Sequence, residues 1–419
     1  MLADVSVIGL GRVGLPLALS FADRGLRVMG IDNDPVRLNA VRAGQMPFQE
    51  TGTDELLERL HPTGLLQLSD RVEDAAAADH IVITLGTPSF SHIEIDMSAV
   101  RSVVDDLIPH LRAGHALTLR STIAPGTTDF VAGYIAKHRD FEIGEELFVA
   151  HCPERIAAGH FLEEITTLPC IVGGVGEQSG DVVASLFEVF GARIVQTTPV
   201  QAELAKIWTN IIRYTQFALP NLLMMDCDQY GANVFEVIDL INRDYPRGGI
   251  ARPGFTAGTC LRKDFTFSEE RSSAPGMLLA VSRVNETVPH FLVEGVKRRL
   301  GQLSGRKVAV LGLAFKADTD DERDSLAHKL VRLLERELAD VAIHDPHVAT
   351  PTQPLDEAVT GAEVVFVATN HSAFCSAQTL ERIGECASRE CLVVDPWDCF
   401  GAAQVFAYAS ELAILSGTL

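Results

Sequence analysis

Short apolar runs alternate with helix-length segments through the first half of the chain. Predominantly apolar stretches of strand length occur at Val5–Ile8, Arg27–Ile31, His80–Thr84, Ala116–Leu119, Leu147–Ala150 and Cys170–Val172. Runs this short are typical of buried strands, and the segments between them are long enough for crossover helices. The alternation predicts a doubly wound parallel sheet within residues 1–197.

The middle of the chain follows a different pattern. Apolar residues recur at three- and four-residue intervals through Glu203–Met225 and Val234–Ile241, which predicts helices. The loop Tyr245–Gly258, which contains Gly and Pro, interrupts them. Residues 198–299 are therefore predicted to form a central all-α domain.

Strand-length runs return after residue 300. They occur at Val308–Leu311, Val341–His344, Val364–Ala368 and Leu392–Val394, again separated by helical stretches. This pattern predicts a further α/β domain at residues 300–419. The fold class expected for the whole chain is α/β, with two Rossmann-like, doubly wound parallel-sheet domains joined by the helical middle.

Composition narrows the range of partners. The 419 residues are 47% hydrophobic and 22% charged, with a formal net charge of -21. Nucleic acid and membrane surfaces are not expected partners, because both require a basic face. Asp4 lies in the first apolar run and no apolar run approaches about 20 residues, so neither a signal peptide nor a spanning helix is expected. We expect a cytoplasmic protein whose eight cysteines, with no CxxC pair, are reduced, and no metal site.

A glycine-rich segment, Gly9-Leu-Gly11-Arg-Val-Gly14, lies between the first predicted strand and a predicted helix. This is the context of a dinucleotide-binding turn. There, Gly9 permits a tight turn, Gly11 lets the backbone approach a pyrophosphate, and Gly14 allows close packing of helix and strand. Asp32 ends the next strand, where a carboxylate accepts hydrogen bonds from ribose hydroxyls and repels a 2′-phosphate. The expected cofactor is therefore NAD.

Two further loops follow predicted strands of the same sheet. Thr87 lies in one of them, and Thr122 lies in the other, within Ser121–Thr128. Ligands of open α/β sheets bind beyond the carboxyl ends of the strands. Both threonines, like Val13 of the glycine-rich segment, are therefore expected to border the cofactor. For Thr122, a hydroxyl that only caps the turn fits the spacing equally well.

Polar residues share one face of the first helix in the middle region. Glu203, Lys206 and Asn210 lie three and four positions apart, so they project to the same side. An ammonium and an amide that project together can stabilise a developing oxyanion. A solvated Glu and Lys pair on a surface is the alternative interpretation.

Cys260 follows a loop that is rich in Gly and Pro. A helix that begins just after it places the thiol at the positive helix end, where a thiolate is favoured. Asp264 then lies one turn further along the same side, within reach to act as a base through water. A small buried cysteine without chemistry is the alternative, but the glycines of the loop and the neighbouring Lys263-Asp264 pair favour a reactive thiol.

Through these residues, the chain resembles the nucleotide-sugar dehydrogenases over nearly its full length. This family includes the 6-dehydrogenases of UDP-glucose, UDP-N-acetylmannosamine and GDP-mannose. The segments that carry the resemblance are Val7–Ala18, Ser121–Thr128, Cys152–Arg155, Ala202–Lys206 with Asn210, Gly258–Asp264, Gly312–Lys316 and Thr319–Ser325. The resemblance implies two successive NAD-dependent oxidations of the C6 hydroxyl of a UDP-sugar, which give a uronic acid.

The resemblance also implies roles for individual residues. Cys260 is the nucleophile that attacks the C6 aldehyde and carries a thiohemiacetal and then a thioester. The other catalytic residues implied are Lys206 and Asn210 for the oxyanion, Asp264 for water, Thr122 near the cofactor and Glu154 beside the sugar. The substrate contacts implied are Glu154, Arg155, Lys206, Asn210, Arg213 and Lys316, and Arg323 is implied as a contact of the cofactor or nucleotide. Surface salt bridges with nearby aspartates are the alternative for Lys316 and Arg323.

The sequence does not identify the substrate sugar, and it leaves two competing functions as alternatives. The segment Cys152–Arg155 with Arg213 resembles the N-acetylhexosamine branch, whereas Lys263-Asp264 resembles the UDP-glucose branch. A β-hydroxyacid dehydrogenase, which oxidises in one step, needs neither Cys260 nor residues 300–419, and a non-catalytic nucleotide-sugar binding protein is the other competitor. The apolar stripe of Glu203–Met225 resembles the family's dimerisation core, so a homodimer or higher homo-oligomer is expected.

Overall fold

The computed structural model describes residues 3–87, 97–247, 249–256, 258–269 and 276–415. The chain divides into two compact units, described separately below. The first unit is Met1–Thr209 with Lys263–Arg271, and the second is Asn210–Arg262 with Ser272–Leu419.

The first unit is built on a mixed sheet that is mainly parallel. Its strands among the described residues are β1 (Ala3–Ile8), β2 (Val28–Ile31), β3 (Leu66–Ser69), β4 (Ala78–Ile83), β5 (Ala116–Leu119), β6 (Phe148–His151), β7 (Cys170–Gly174) and β8 (Ile194–Thr197). Their order across the sheet is β3-β2-β1-β4-β5-β6-β7-β8. Every neighbouring pair is parallel except β6 and β7, which run antiparallel. The predicted sheet is confirmed, with this one reversal.

The sequence pattern did not predict β3 and β8. Both are edge strands of the sheet, and each includes an exposed polar position, Gln67 and Gln196 respectively. An edge strand is covered less completely than a central one, so it lacks the continuous apolar run that identifies a buried strand.

Helices connect these strands and cover both faces of the sheet. They are α1 (Gly14–Asp23), α2 (Pro35–Arg42), α3 (Thr53–Leu60), α4 (Ser98–Leu107), α5 (Thr127–His138), α6 (Phe161–Thr167) and α7 (Glu177–Phe187). Successive strand residues face opposite sides, so Val7 belongs to an apolar cluster with α1 and α7 while Ile8 belongs to another with α4 and α5.

The middle of the chain is helical, as predicted. Its described elements are α8 (Pro199–Tyr230), α9 (Val234–Asn242), α10 (Thr259–Glu269) and α11 (Met277–Leu300). The predicted helices Glu203–Met225 and Val234–Ile241 lie within α8 and α9 respectively. The predicted loop Tyr245–Gly258 separates α9 from α10, although its residues 248 and 257 lie outside the described residues.

A buried amide network holds this loop in the second unit. The Asn221 side chain on α8 accepts a hydrogen bond from the Gly254 backbone N–H (2.9 Å) and donates one to Asn285 on α11 (2.9 Å). Asn285 donates in turn to the Tyr214 carbonyl (3.1 Å). Because both amide side chains are fully buried, these bonds satisfy groups that water cannot reach, and they fix the approach of the chain to α10.

The second unit contains its own smaller sheet. The strands are β9 (Lys307–Leu311), β10 (Asp340–His344), β11 (Val364–Val367), β12 (Leu392–Val394) and β13 (Phe406–Tyr408), and the helices are α12 (Leu326–Arg336), α13 (Leu355–Val359), α14 (Ala377–Cys386) and α15 (Ala409–Leu415). The strand order is β10-β9-β11-β12-β13, and within this sheet β13 alone among the described strands is antiparallel to its neighbour. The predicted parallel part is confirmed, and the three-residue β13 is an addition.

The cysteine prediction was wrong for one pair. Cys375 and Cys399 form a disulfide with a Cα–Cα distance of 4.4 Å, while the other six cysteines remain thiols. The two residues are 24 positions apart, so their proximity is a product of folding and leaves no mark such as a CxxC pair. Within the described ranges, no helix combines the length and apolar character needed to cross a bilayer.

The stability of the fold is predicted to fall in acid because of His151, at the end of β6. Its Nδ1 donates to the Leu119 carbonyl (2.8 Å), and burial lowers the pKa of His151 to about 3. The folded state therefore binds fewer protons than the unfolded state, whose histidine has a pKa of about 6.5. This contribution to stability is complete above pH 6.5 and is lost as the pH falls toward 3, by up to about 1.4 kcal/mol per unit.

We expect His151→Gln, whose side chain does not titrate, to lose about 1.5 kcal/mol less unfolding free energy than the native chain between pH 6.5 and 5. Urea denaturation at both pH values measures this difference. The matched control is His160→Gln, because His160 is exposed. An equal loss in both variants would contradict the role given to His151.

Candidate active site

The glycine-rich turn between β1 and α1 shows which glycines the fold itself requires. Gly9 has a φ of +93°, and a Cβ on Gly14 would lie 1.8 Å from the Gly9 carbonyl oxygen. A Cβ on Gly11, by contrast, would meet nothing within 4 Å. Backbone conformation and packing therefore explain why glycine is required at positions 9 and 14. The open space beside Gly11 suits the close approach of a ligand. Val13 is the N-cap of α1, and no side chain caps the start of this helix, the kind of helix end that favours an anion.

Asp32 follows β2 and lies beside this turn. One carboxylate oxygen accepts from the Leu10 backbone N–H (2.6 Å) and from Arg37 (2.7 Å), and the other accepts from the Asp34 N–H (2.9 Å). The carboxylate thus holds the glycine-rich turn against the end of the second strand. A carboxylate has about four lone-pair positions, so these bonds leave capacity for a ribose hydroxyl.

The loops after β4 and β5 meet through Thr87 and Thr122. The Thr87 hydroxyl donates to the Thr122 carbonyl (2.8 Å) and accepts from the Lys263 ammonium (3.1 Å). Lys263 also pairs with Asp264 at 3.2 Å, and Asp264 is completely buried. The first unit therefore places Thr87 and Asp264 against one buried cation, and Thr122 against Thr87. Lys263 was not among the predicted site residues. The one feature of the sequence that pointed to it was its position next to Asp264.

Glu203 and Lys206 lie on α8 within the first unit and are both buried. The Glu203 carboxylate accepts from the Gly126 N–H (2.6 Å), the Thr128 N–H (2.9 Å) and the Thr128 hydroxyl (2.6 Å). It therefore caps the N-terminus of α5, although burial raises its pKa. The alternative of a solvated surface pair is wrong. Asn210, one turn after Lys206, is also buried.

Glu154 is held by a buried arginine that the sequence did not single out. Arg120, directly after β5, donates to the Glu154 carboxylate (2.5 Å) and to the Cys152 carbonyl (3.2 Å), and its guanidinium lies 5.0 Å from the centre of the Phe187 ring. The Ile156 N–H binds the other Glu154 oxygen (2.7 Å). A charged residue at the end of an apolar strand was the one signal that pointed to Arg120.

Arg155 and Arg213 have more exposed positions. Arg155 donates to the Pro169 carbonyl, and Arg213 lies on the exposed side of α8, three residues after Asn210. Both side chains reach solvent, so each presents a charge that a ligand can use.

Cys260 is the second residue of α10 and is exposed, in the second unit. Just before it, Gly258 has a φ of +98°, and a Cβ there would come within 2.6 Å of the Phe315 ring. Glycine is thus needed for the chain to pass over Phe315 and enter the helix. The thiol lies in the first turn of the helix, as predicted, but the helix begins at Thr259 and includes Cys260, whereas it was expected to begin just after Cys260.

Arg323 lies within electrostatic range of Cys260. The hydrogen bond to Asp321 is the main reason that the pKa of Arg323 is raised, and the charge of Cys260 adds to it. Arg323 donates to both Asp321 oxygens (2.8 and 2.7 Å). A guanidinium and a helix N-terminus both stabilise negative charge on sulfur. The second unit therefore brings together a thiol and a cation that the sequence had assigned to separate roles.

Lys316 ends a turn that follows β9, and its side chain is half-buried. The turn is braced by Asp345, which accepts from the Leu313 and Ala314 N–H groups (2.6 and 3.0 Å) and pairs with His371 (3.1 Å). Burial opposes the charge of Asp345, yet these donors hold its pKa below the usual range. The turn that carries Lys316 is therefore rigid.

Among the described residues, Asp318, His347 and His371 place potential metal ligands within 4.8 Å of one another. Both ring nitrogens of His371 already bond, one to the Asp318 N–H (2.8 Å) and the other to Asp345. The group therefore serves to brace the loops after β9 and β10, and it is not a set of three open ligands.

Comparison with known families gives matches along most of the chain. Models of the UDP-glucose/GDP-mannose dehydrogenase family match in three parts, which are the NAD binding domain at residues 3–191, the central domain at 200–287 and the UDP binding domain at 309–402.

Individual relatives cover nearly the whole length. A UDP-N-acetyl-D-mannosamine dehydrogenase of Pyrococcus horikoshii is 32% identical over 93% of this chain and 94% of its own. An NDP-N-acetyl-D-galactosaminuronic acid dehydrogenase of Ralstonia nicotianae is 30% identical over 90% and 92%.

Solved structures agree with these matches. A UDP-D-ManNAc dehydrogenase from Pyrococcus horikoshii has a TM-score of 0.85 and 32% identity, over 92% of this chain and 93% of its own. A UDP-glucose dehydrogenase from Pyrobaculum islandicum has a TM-score of 0.81 and 30% identity, over 90% and 92%.

The Lys263 and Asp264 pair is predicted to be essential to the stability of the first unit. We expect Lys263→Met to lower the unfolding free energy by about 3–5 kcal/mol, because it leaves a buried carboxylate without its cation. Adding Asp264→Asn should restore part of this loss. Urea denaturation of the single and double variants measures both effects.

Lys137→Met, at an exposed position of α5, is the control and should change stability by less than about 0.5 kcal/mol. A Lys263→Met protein as stable as this control would show that the carboxylate does not depend on the ammonium.

Proposed function

The chain belongs to the UDP-glucose/GDP-mannose dehydrogenase family and is therefore an NAD-dependent UDP-sugar dehydrogenase. We propose that it oxidises the C6 hydroxyl of its sugar to a carboxylic acid in two steps. Cys260 is the covalent nucleophile of this reaction. The observation that carries the proposal is the exposed Cys260 thiol in the first turn of α10, in a chain matched along its length by this family.

The proposed substrate is a UDP-N-acetylhexosamine, with UDP-N-acetylmannosamine as the first candidate. Relatives at 28–32% identity are named as dehydrogenases of that sugar, and another is named for N-acetylgalactosaminuronic acid. The segment Cys152–Arg155 points to the same branch. UDP-glucose is the competing substrate, since a UDP-glucose dehydrogenase is also structurally similar.

NAD fits the turn between β1 and α1. The space beside Gly11 and the uncapped start of α1 suit a pyrophosphate, and Asp32 suits a ribose. When bound, NAD accepts the hydride that leaves C6 in each oxidation. Thr87, Thr122 and Val13 complete the proposed cofactor contacts of the first unit. Arg323 is a further proposed contact, which rests on the family resemblance alone.

Cys260 is proposed to act between the two oxidations. An aldehyde has no hydride to give readily until a nucleophile makes its carbon tetrahedral. Attack by the Cys260 thiolate forms a thiohemiacetal, loss of hydride converts it to a thioester, and water releases the acid. The covalent link also retains the intermediate between the two hydride transfers.

The remaining roles follow the charge that develops in these steps. We propose that Lys206 and Asn210 stabilise the oxyanion, because preorganised donors contribute most where charge appears. Asp264, whose carboxylate Lys263 holds in place, activates the water, and Glu154, held by Arg120, lies beside the sugar. Arg155, Arg213 and Lys316 are the proposed contacts with substrate.

The competing functions fit the chain less well. A single-step β-hydroxyacid dehydrogenase has no use for the UDP binding domain matched at residues 309–402. A pure binding protein has no use for a buried Lys206, Asn210 and Asp264 together with an exposed Cys260. Both competitors are nevertheless outcomes of the assay below.

The proposed assembly is a homodimer formed through α8. Its exposed apolar residues recur every three, four or seven positions along one stripe, at Leu204, Trp208, Ile212, Leu219 and Leu222. Such a stripe on a helix of 32 residues is costly to leave in water, and a second copy is the partner proposed to cover it.

The reaction is tested with UDP-N-acetylmannosamine, UDP-N-acetylglucosamine, UDP-glucose and GDP-mannose, with NADH counted per sugar consumed. We expect two NADH per UDP-N-acetylhexosamine. Cys260→Ala should still bind UDP-sugar by calorimetry but lose acid formation by at least about 1,000-fold, since no other thiol replaces the nucleophile.

The control for this variant is Cys386→Ala, a thiol at the end of α14, which should keep full activity. One NADH per substrate would support the single-step enzyme. Binding without any NADH would support the binding protein, and acid production by Cys260→Ala at the native rate would rule out the thioester.

The dimer is tested by Trp208→Glu, which places a charge in the middle of the stripe. We expect the molar mass from light scattering to change from that of a dimer to that of a monomer at micromolar concentration, because burying the carboxylate costs several kcal/mol. The control is Leu338→Glu, at an exposed position outside α8, which should leave the mass unchanged. A native chain that is itself monomeric would refute the dimer.

A further inference from the structure

Two thiols of the first unit lie in direct contact. Cys152 follows β6 and Cys170 opens β7, the antiparallel pair of the sheet, and their Sγ atoms are 3.4 Å apart. A disulfide requires about 2.05 Å, so a movement of little more than 1 Å separates the thiols from a bond. Neither residue has a role in the proposed reaction.

A buried cation lies beside the two sulfurs. The Arg120 guanidinium donates to Cys152 Sγ (3.3 Å) and is almost wholly buried. The hydrogen bond with Cys152 lowers the pKa of Cys170, and the charge of Arg120 adds to this, whereas burial raises the pKa of Cys152. Cys170 is therefore the sulfur of the pair whose ionisation is favoured, and we assign it as the nucleophile because it also has the better access described below.

The two sulfurs also differ in access. Cys152 is fully buried, but Cys170 is half-buried and lines a cavity of about 30 Å³ together with Arg155 and Leu168. About 10–15 Å³ is enough for a water molecule, so a small oxidant such as hydrogen peroxide fits, while a peptide disulfide does not.

We propose that Cys152 and Cys170 form a peroxide-reactive dithiol that closes to an intramolecular disulfide. The Cys170 thiolate attacks one oxygen of hydrogen peroxide, the O–O bond breaks, hydroxide leaves, and Cys170 becomes a sulfenic acid. The Cys152 thiol then attacks the Cys170 sulfur, so that the S–S bond forms and water leaves. The two sulfurs together lose two electrons, and the peroxide gains them.

The disulfide changes the surroundings of Glu154. Arg120 binds the Cys152 sulfur and carbonyl and also the Glu154 carboxylate, so a shift of Cys152 disturbs the arginine that holds Glu154. If the proposed function is correct, on which this consequence rests, oxidation weakens the binding of the UDP-sugar.

The dithiol is tested in a Cys260→Ser protein, so that the exposed Cys260 thiol does not consume the oxidant. The protein is treated with hydrogen peroxide, quenched with catalase, alkylated under denaturing conditions and digested with trypsin. Cleavage after Arg139, Arg155 and Arg193 leaves each of the two cysteines alone in its peptide, 140–155 and 156–193. We expect these peptides to become cross-linked, two hydrogens lighter than their sum, and to separate again with dithiothreitol.

Two controls identify the chemistry. Cys170→Ser in the same background should abolish the cross-link, and Cys391, whose pKa burial raises to about 12, should be recovered as a thiol throughout. The assignment does not depend on the folding of Cys170→Ser, because fragmentation of the cross-linked peptide locates both cysteines. Recovery of Cys152 and Cys170 as two thiols, or as sulfinic acids without a cross-link, overturns the proposal.

Calorimetry with UDP-N-acetylmannosamine on the same oxidised protein tests the consequence. We expect the Kd to rise about tenfold and to return after reduction. A cross-link with an unchanged Kd overturns the link to Glu154. Absence of UDP-sugar binding before any oxidation instead counts against the proposed function, and the peptide experiment then decides the dithiol by itself.

Discussion

The ion pair between Arg120 and Glu154 is the interaction on which the polar end of the first sheet depends. A buried charge is costly unless it is paired and hydrogen-bonded. Arg120 meets that requirement by binding the Glu154 carboxylate, the Cys152 carbonyl and the Phe187 face at once. The positions of the Cys152–Arg155 segment are therefore coupled to one guanidinium. The same requirement explains why Asp264 lies against Lys263 and why Glu203 receives three donors.

In the second unit, buried polar groups are also hydrogen-bonded, but most of them are neutral and one is a carboxylate. Asn221 and Asn285 satisfy each other and two backbone groups, which fixes the loop before α10. Asp345 gathers two backbone N–H groups and His371, which fixes the turn that carries Lys316. In both units, rigid polar networks hold the loops that bear the proposed site residues. Such rigidity suits chemistry in which donors must already be in place when charge develops.

The buried charges near Arg120 also favour the proposed reactivity of the Cys152 and Cys170 pair. Cys152 and Cys170 would be ordinary core residues in an apolar environment, because burial alone favours the neutral thiol. The hydrogen bond with Cys152, and then the charge of Arg120, lower the pKa of Cys170, whose side chain also reaches a cavity. A residue that organises the proposed substrate site thus also prepares a site of oxidation, and the two properties share one guanidinium.

Sequence periodicity by itself determined the central strands, the helical middle, the glycine-rich turn and the position of Cys260 at a helix start, because each depends on neighbours within a few residues. The half-exposed edge strands β3 and β8 carried no such local signal. Partnerships across long separations, such as Arg120 with Glu154, Lys263 with Thr87 and Cys375 with Cys399, were decided only by the tertiary structure. The three-domain division at residues 197 and 299 stays a prediction. The physical reason is that a charged or sulfur-bearing side chain has no fixed partner until folding excludes water around it.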